Sequence, residues 1–224
     1  MPQIFRGIEQ ASEEWFNLRL GIPTASEFSR FMDADFNLKQ PRSKEAKANG
    51  ELNESVFTYA CEKLVERERG PMLDYQSEAR FSTFAIDQGK HSEKLARKWL
   101  AMELEEEIEE VAFVKTDDGR AGCSPDGLLC DDAGLELKCP QAVNHVKYLL
   151  EGVLPPEYVA QVHGSLYVTG RKHWHFLSYN ETITTEAFHL VIERDEQIMA
   201  RIGKSLDSFC YILDTLHAKL KAIQ

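Results

Sequence analysis

The stretch that decides the fold runs from Ser124-Pro125-Asp126-Gly127-Leu128 to Gly134-Leu135-Glu136-Leu137-Lys138-Cys139-Pro140. Glu136 and Lys138 are two residues apart, so on a strand both side chains leave the same face. Leu135 and Leu137 then point the other way, into a core. Asp126 comes ten residues before Glu136, on the neighbouring strand of a hairpin turned at Asp131-Asp132-Ala133-Gly134, and can therefore lie beside it. Two carboxylates brought together with one lysine are costly unless something neutralises them. A hard divalent cation does so, and Mg²⁺ prefers one or two protein carboxylates completed by water and phosphate oxygens. The Leu137 carbonyl, between the two side chains, is a further candidate ligand. Lys138 would stand beside water on such an ion, where its charge favours ionisation of that water and stabilises in-line attack on phosphorus. The same residues also admit a buried Asp–Lys–Glu ion pair, or plain surface alternation on a sheet.

Around this segment the pattern is that of strands. Residues 108–115, 120–130 and 134–139 read as a three-stranded meander, with a first turn at Asp117-Asp118-Gly119. A helix over 141–151 follows, and Pro155-Pro156-Glu157 opens another through about residue 168. Strands at 173–179 and 186–192 come next. The closing helix carries Ile198, Ile202, Leu206, Phe209, Leu213, Leu216 and Leu220 at three- and four-residue spacing, a core or subunit stripe.

Upstream, the spacing predicts a helix over 92–104 with Leu95, Trp99, Leu100 and Met102 on its apolar side. Six of the eight residues 103–110 are Glu, the mark of a solvated helix end running into an edge strand. Residues 71–90 read as linker. Before them, Asn53 caps a helix with Val56, Phe57, Ala60, Cys61, Leu64 and Val65 on one face, ended by Gly70-Pro71. Residues 35–52, with four basic side chains and no periodicity, read as a mobile surface loop. The first 35 residues predict two short helices, the second opened by a Thr24-Ala25-Ser26-Glu27 capping box.

At 224 residues the chain suits one domain, 1–224, with a sizeable core. A composition of 43% hydrophobic and 28% charged residues is globular, not disordered. The net charge of −11 excludes coating of nucleic acid through bulk positive charge, while leaving room for a local basic site or an acidic metal site. No apolar run reaches the ~18 residues of a membrane span, and Met1–Arg6 lacks the apolar region of a signal peptide. The five cysteines are scattered without a CxxC pair, so neither a disulfide framework nor a zinc site is expected, and the cytoplasm is the expected compartment. There is no internal repeat and no GxxxxGK[ST] phosphate loop, hence no expected ATP-driven motor.

Several motifs, taken together and in order, carry a family resemblance. They are Trp15…Leu18-Arg19-Leu20-Gly21…Thr24-Ala25-Ser26-Glu27, Gly89-Lys90…Glu93…Ala96-Arg97, the two segments quoted first, Tyr158-Val159-Ala160-Gln161-Val162, and Val191-Ile192-Glu193-Arg194-Asp195-Glu196. The chain resembles the PD-(D/E)xK restriction-endonuclease-like nucleases and, within them, the phage lambda exonuclease family of viral recombination exonucleases. The resemblance implies an α/β fold of α+β type, a central mixed β-sheet flanked by helices. It implies a Mg²⁺-dependent exonuclease, with Mn²⁺ as a substitute, that releases 5′-mononucleotides. Such an enzyme degrades the 5′-ended strand of linear double-stranded DNA and leaves a 3′ tail for a phage-type single-strand annealing protein. It further implies a processive, ring-shaped homotrimer, encoded by a phage or prophage and acting in the bacterial cytoplasm.

The resemblance also implies roles for particular residues. Asp126, Glu136 and the Leu137 carbonyl match metal ligands and Lys138 the catalytic lysine. Glu93 matches an acidic helix residue near the metals, although by spacing alone it reads as a solvated partner of Arg97. Gln161 matches a helix glutamine facing the site. Arg19, Ser26 and Ser124 match a pocket for the 5′-terminal phosphate, Arg42 a basic loop residue on DNA, and Ile86 an apolar wedge at the point of strand separation. Gln88 stands where lambda exonuclease has Trp, which leaves the details of the wedge open. His163 stands where it has Gln and reads as structural. Two other functions stay open at this point: a structure- or site-specific endonuclease on the same core, and a non-catalytic DNA-end binding module.

Overall fold

The computed structural model describes residues 1–70, 83–183 and 187–223, with the backbone alone described over 83–90. Its elements follow the chain as β1 Gln3–Phe5, α1 Glu13–Arg19, a 3-10 turn Ala25–Arg30, α2 Lys44–Ala48, α3 Glu54–Arg69 and α4 Thr83–Leu104. Then come β2 Ile108–Glu109, β3 Phe113–Lys115, β4 Gly122–Cys123, β5 Gly127–Leu129 and β6 Ala133–Lys138. Helices α5 Ala142–Glu151 and α6 Pro156–Thr169, strands β7 His173–Ser178 and β8 Phe188–Glu193, and helix α7 Glu196–Ile223 complete the fold.

The strands form two sheets, ordered β1-β3-β4 and β2-β5-β6-β7-β8. In the larger sheet β6 and β7 are parallel, with Glu136 opposite Phe176 and Lys138 opposite Ser178, and the other pairs are antiparallel. A parallel pair needs a long crossover, and α5 and α6 supply it. The mixed sheet flanked by helices is the architecture the resemblance implied.

Alternation on β6 and β7 divides the core in two. Leu135, Leu137 and Leu177 pack with Leu129, Ala96 and Leu100 beneath α4. Trp174 and Phe176 face a larger core built by α3, α6, α7 and the 3-10 turn. There Phe31 stacks on Phe209 at 4.4 Å between ring centroids, and Tyr59 on Phe209 at 5.3 Å. The stripe on α7 is core as expected, with Ile202, Leu206, Phe209 and Leu213 buried. β2 is an edge strand of its sheet, as the glutamate run suggested.

The structure corrects the sequence reading in several places. The three-stranded meander does not exist as one sheet. Segment 108–115 splits into β2 and β3, and segment 120–130 into β4 and β5, each half in a different sheet. The cause lies at Val111-Ala112 and Ser124-Pro125, where other partners take the ladder's groups. The Ala112 N–H donates to the Phe5 carbonyl at 2.9 Å, the Trp15 indole donates to the Ala112 carbonyl at 3.0 Å, and Pro125 has no N–H. The reading of 71–90 as linker fails from Thr83 onward, where α4 is already formed, and 71–82 lie outside the described residues. Residues 44–48 of the expected loop form a helical turn capped by Ser43. Phe57 and Met102, placed on apolar faces, are exposed, while Tyr59 and Ala96 are buried instead. The capping box at Thr24 is absent, because the Thr24 hydroxyl meets Arg19 and Ser26. No helix among the described residues is long and apolar enough to cross a membrane.

Candidate active site

The break between β4 and β5 gives Asp126 its place. Its backbone N–H donates to the Leu135 carbonyl at 3.0 Å, and its Oδ2 accepts the Leu137 N–H at 2.6 Å. Asp126 is thus bonded on both sides of Glu136 to the strand that carries Glu136. Glu136 is 2% exposed. Gln161 Nε2, from α6, donates to Glu136 Oε1 at 2.6 Å, and Lys138 Nζ approaches the same oxygen at 2.5 Å. Lys138 also lies 5.1 Å from the centre of the Tyr158 ring, one turn before Gln161, within cation–π range.

These contacts set unusual electrostatics. Burial, then the nearby Asp126, push the Glu136 carboxyl up to about 8. Burial raises Asp126 as well, against the pull of Lys138 and the Leu137 N–H. Burial works against the charge on Lys138, but Glu136 and Asp126 outweigh it and raise its pKa. Two close carboxylates with a single ammonium are short of positive charge. Each also keeps one oxygen that receives no hydrogen bond among the described residues. A divalent cation fits this donor set, supplying charge where it is lacking and ligating hard oxygens.

Glu93 is exposed on α4 and shares with Asp126 the lining of a cleft of about 620 Å³, together with Lys94, Arg97 and Glu110. No three His, Cys, Asp or Glu side chains among the described residues converge at metal-ligating distance, so Glu93 flanks the Asp126–Glu136 pair without joining it. Arg97 does not turn to its own helix as the i+4 spacing suggested. It donates to the Asp126 carbonyl at 3.0 Å and pairs with Glu110 at 3.0 Å.

Arg19, Ser26 and Ser124 belong to one chain of contacts, joined by Thr24, which the spacing had assigned to a cap, and by Trp15. Arg19 Nη2 reaches the Thr24 hydroxyl at 3.4 Å, which meets Ser26 Oγ at 3.4 Å. On the other side the guanidinium lies over the Trp15 ring, and the Trp15 indole donates to Ser124 Oγ at 3.1 Å. Arg19 lines a cavity of about 350 Å³ with Trp15, Arg30, Tyr59 and Lys63. Arg30 and Lys63 are paired with Glu62 and Glu66, whereas no carboxylate among the described residues lies within 4.0 Å of Arg19. Trp15 stood in the resemblance motif, and that was its only signal.

The structure does not bring Arg42 to this site. It is exposed and lines a separate groove with Pro41, Ser43 and Asn53. Ile86 and Gln88 lie outside the residues whose side chains are described. His163 Nδ1 is buried with no hydrogen-bond partner among the described residues, and its ring meets Phe36 edge-on at 5.3 Å.

A five-stranded mixed sheet flanked by helices, with its carboxylate and lysine on the central strand, matches the fold of the alkaline exonucleases. The chain belongs to the YqaJ-like viral recombinase domain family, which matches it over residues 14–172. Among solved structures it is similar to the alkaline exonuclease LHK-Exo of Laribacter hongkongensis. The TM-score is 0.76 and the identity 28%, covering 94% of this chain and 97% of that one. The structure of LHK-Exo in complex with dAMP matches with a TM-score of 0.74 and 29% identity over the same shares. A phage-related exonuclease of Haemophilus somnus shares the fold, with a TM-score of 0.63 and 12% identity over 89% of this chain and 96% of that one. Among curated proteins, ExoD of Escherichia coli (strain K12), itself uncharacterized, is 32% identical over 78 residues, 34% of this chain and 90% of ExoD.

Proposed function

We propose that this chain is a Mg²⁺-dependent exonuclease of phage-type recombination, acting 5′ to 3′ on linear double-stranded DNA. It releases 5′-mononucleotides and leaves a 3′ single-stranded tail for an annealing protein. The observation that carries this reading is the meeting of Lys138 and Gln161 at the buried Glu136 carboxylate, with the Asp126 carboxylate bonded to the next backbone N–H of the same strand. Support comes from the alkaline exonuclease whose fold covers 94% of the chain and from its complex with dAMP, a deoxynucleoside monophosphate. That coverage also favours reading 1–224 as one exonuclease domain. The resemblance further favours a homotrimeric ring, which sedimentation of the free protein tests.

Asp126, Glu136 and the Leu137 carbonyl would hold the metal, with Glu93 on the cleft wall beside them. When bound, Mg²⁺ supplies polarisation of the phosphoryl oxygen and a lower pKa for the attacking water. The protein's own part is positional. Gln161 fixes Glu136 by one oxygen. Lys138, released from Glu136 and kept near by the Tyr158 ring, offers positive charge to the attacking water and to the negative charge that grows on phosphorus. Arg19, in direct contact with no carboxylate among the described residues, is suited to the terminal 5′-phosphate, and the Ser26 and Ser124 hydroxyls add donors.

The test is digestion of linear duplexes labelled separately at each 5′ and 3′ end, with and without Mg²⁺. The expected result is early, metal-dependent release of the 5′ label as mononucleotide while the 3′-labelled strand persists. Cutting of closed circular DNA would instead identify an endonuclease. End binding without cleavage would identify a binding module.

A further inference from the structure

Asp126 is held by a third contact besides its two bonds to β6. Its carbonyl oxygen accepts Arg97 Nε at 3.0 Å. Arg97 lies on α4, four residues after Glu93, and both side chains line the same cleft as Asp126. Through Nη1, Arg97 also reaches Glu110, in the segment where the chain leaves β2 for β3. Its side chain is 18% exposed against 72% for that of Glu110. The ion pair is therefore open to solvent screening, while the bond to Asp126 is sheltered.

The placement matters because Asp126 lies outside any strand. Two of its anchors come from β6 and set it against Glu136. Among the described residues, Arg97 is the one that ties it to the helix that carries Glu93. The planar guanidinium gives this tie a direction that an ammonium would not.

We propose that Arg97 is a positioning residue for the divalent-cation site. It fixes the Asp126 backbone relative to α4, and so sets how far the Asp126 carboxylate stands from Glu93 across the cleft. This rests on reading Asp126 and Glu136 as cation ligands, as in the proposed nuclease. Arg97 acts on the cation only through Asp126, in the manner of the outer-shell groups that orient metal-binding carboxylates.

Calorimetric titration of the full chain with Mg²⁺ and with Mn²⁺ tests this without any need for turnover. Arg97→Met keeps the aliphatic stem and removes the donor. It should weaken cation binding about tenfold or more, as loss of an outer-shell partner does, while the melting temperature stays within a few degrees. Glu110→Gln removes the ion pair and keeps the bond to Asp126, and should bind as the parent does. Arg97→Lys keeps the charge but not the fork, and should fall between. Parent-like affinity in Arg97→Met overturns the proposal, as does an equal loss in Glu110→Gln. Should Arg97→Met fail to fold, Arg97→Lys decides: folded with weakened binding supports the proposal, and parent-like binding overturns it. A parent protein that binds neither cation also overturns it. A parent that binds the cation yet leaves end-labelled duplex intact loses the nuclease reading, while the Arg97 comparison still stands.

Discussion

The Arg19 guanidinium lies 4.1 Å from the centre of the Trp15 ring. The ring fixes the plane of the cation, and its indole N–H is given away to Ala112 and Ser124, so ring and backbone lock together. The segment Ser124-Pro125-Asp126 is thereby tied to the arginine two side chains away. An arginine held in this way, half-buried and with no carboxylate among the described residues within ion-pair distance, is preorganised for an anion, although Glu27 and Glu66 line the same cavity.

The proposed 5′-phosphate pocket follows from that arrangement. Duplexes ending in 5′-phosphate should be digested faster than those ending in 5′-hydroxyl, by roughly ten- to a hundredfold for one charge-assisted contact. Arg19→Ala should remove most of that ratio while calorimetric Mg²⁺ binding stays unchanged. Both substrates must be compared at one moderate salt concentration, since backbone contacts are salt-sensitive. Equal rates on the two ends with the native enzyme would refute the pocket.

Lys138→Ala should lower single-turnover cleavage by about a hundredfold or more, the scale of losing one preorganised charge at a transition state. Binding to DNA ends, followed by fluorescence anisotropy, should be nearly unchanged. Asp126→Ala and Glu136→Ala should lose cleavage and calorimetric Mg²⁺ binding together. Near-normal turnover in Lys138→Ala would remove this lysine from the chemistry.

Gly134 gives a prediction about stability alone. It lies opposite Trp174 across the parallel pair, and a Cβ placed there would come within 2.2 Å of the indole ring. Trp174 is completely buried and cannot swing away. Gly134→Ala should cost about 1–3 kcal/mol, lowering the melting temperature by several degrees in a thermal scan. An unshifted melting curve would mean that the two strands separate more readily than their packing indicates.

His175 and His189 share one hydrogen bond, Nδ1 to Nε2 at 2.8 Å, so one ring donates and the other accepts. Burial, then His189 and His173, bring the His175 pKa down to about 4. The unfolded chain, with an ordinary value near 6.5, binds the proton first as pH falls. Stability from this group is complete above about 6.5 and is lost on the way down to about 4, by roughly 3 kcal/mol. Chemical denaturation measured across that range should show the decline, and His175→Gln should flatten it. An unchanged slope in the variant would assign the acid sensitivity elsewhere.

What could be read from the amino acids follows the reach of each signal. Glu136 and Lys138 share a face because strand periodicity is local, and Asp126 joins them because a hairpin is nearly so. The splitting of the meander was illegible, since it depends on the indole of Trp15, 97 residues before the carbonyl it binds. The i+4 spacing of Glu93 and Arg97 suggested a helical ion pair, yet the stronger geometry led Arg97 to a carbonyl 29 residues away. Gln161 was visible only through resemblance, because nothing in its own helix says which strand it faces. Thr24 shows the same limit at short range: its residue type suits a cap, but Arg19 and Ser26 claimed the hydroxyl.

The parallel pairing of β6 with β7 has a consequence for the order of assembly. Asp126, Glu136 and Lys138 all lie in one short hairpin and emerge from the ribosome together. Gln161 and the strand that braces β6 from its other side arrive only once the chain has passed residue 178. Until then the hairpin can pair with β2 and pack beneath α4, which precede it in the chain, while β6 still lacks its parallel neighbour. The carboxylates and lysine proposed for catalysis are thus made before the strand that braces them, and completion of the proposed site waits on β7.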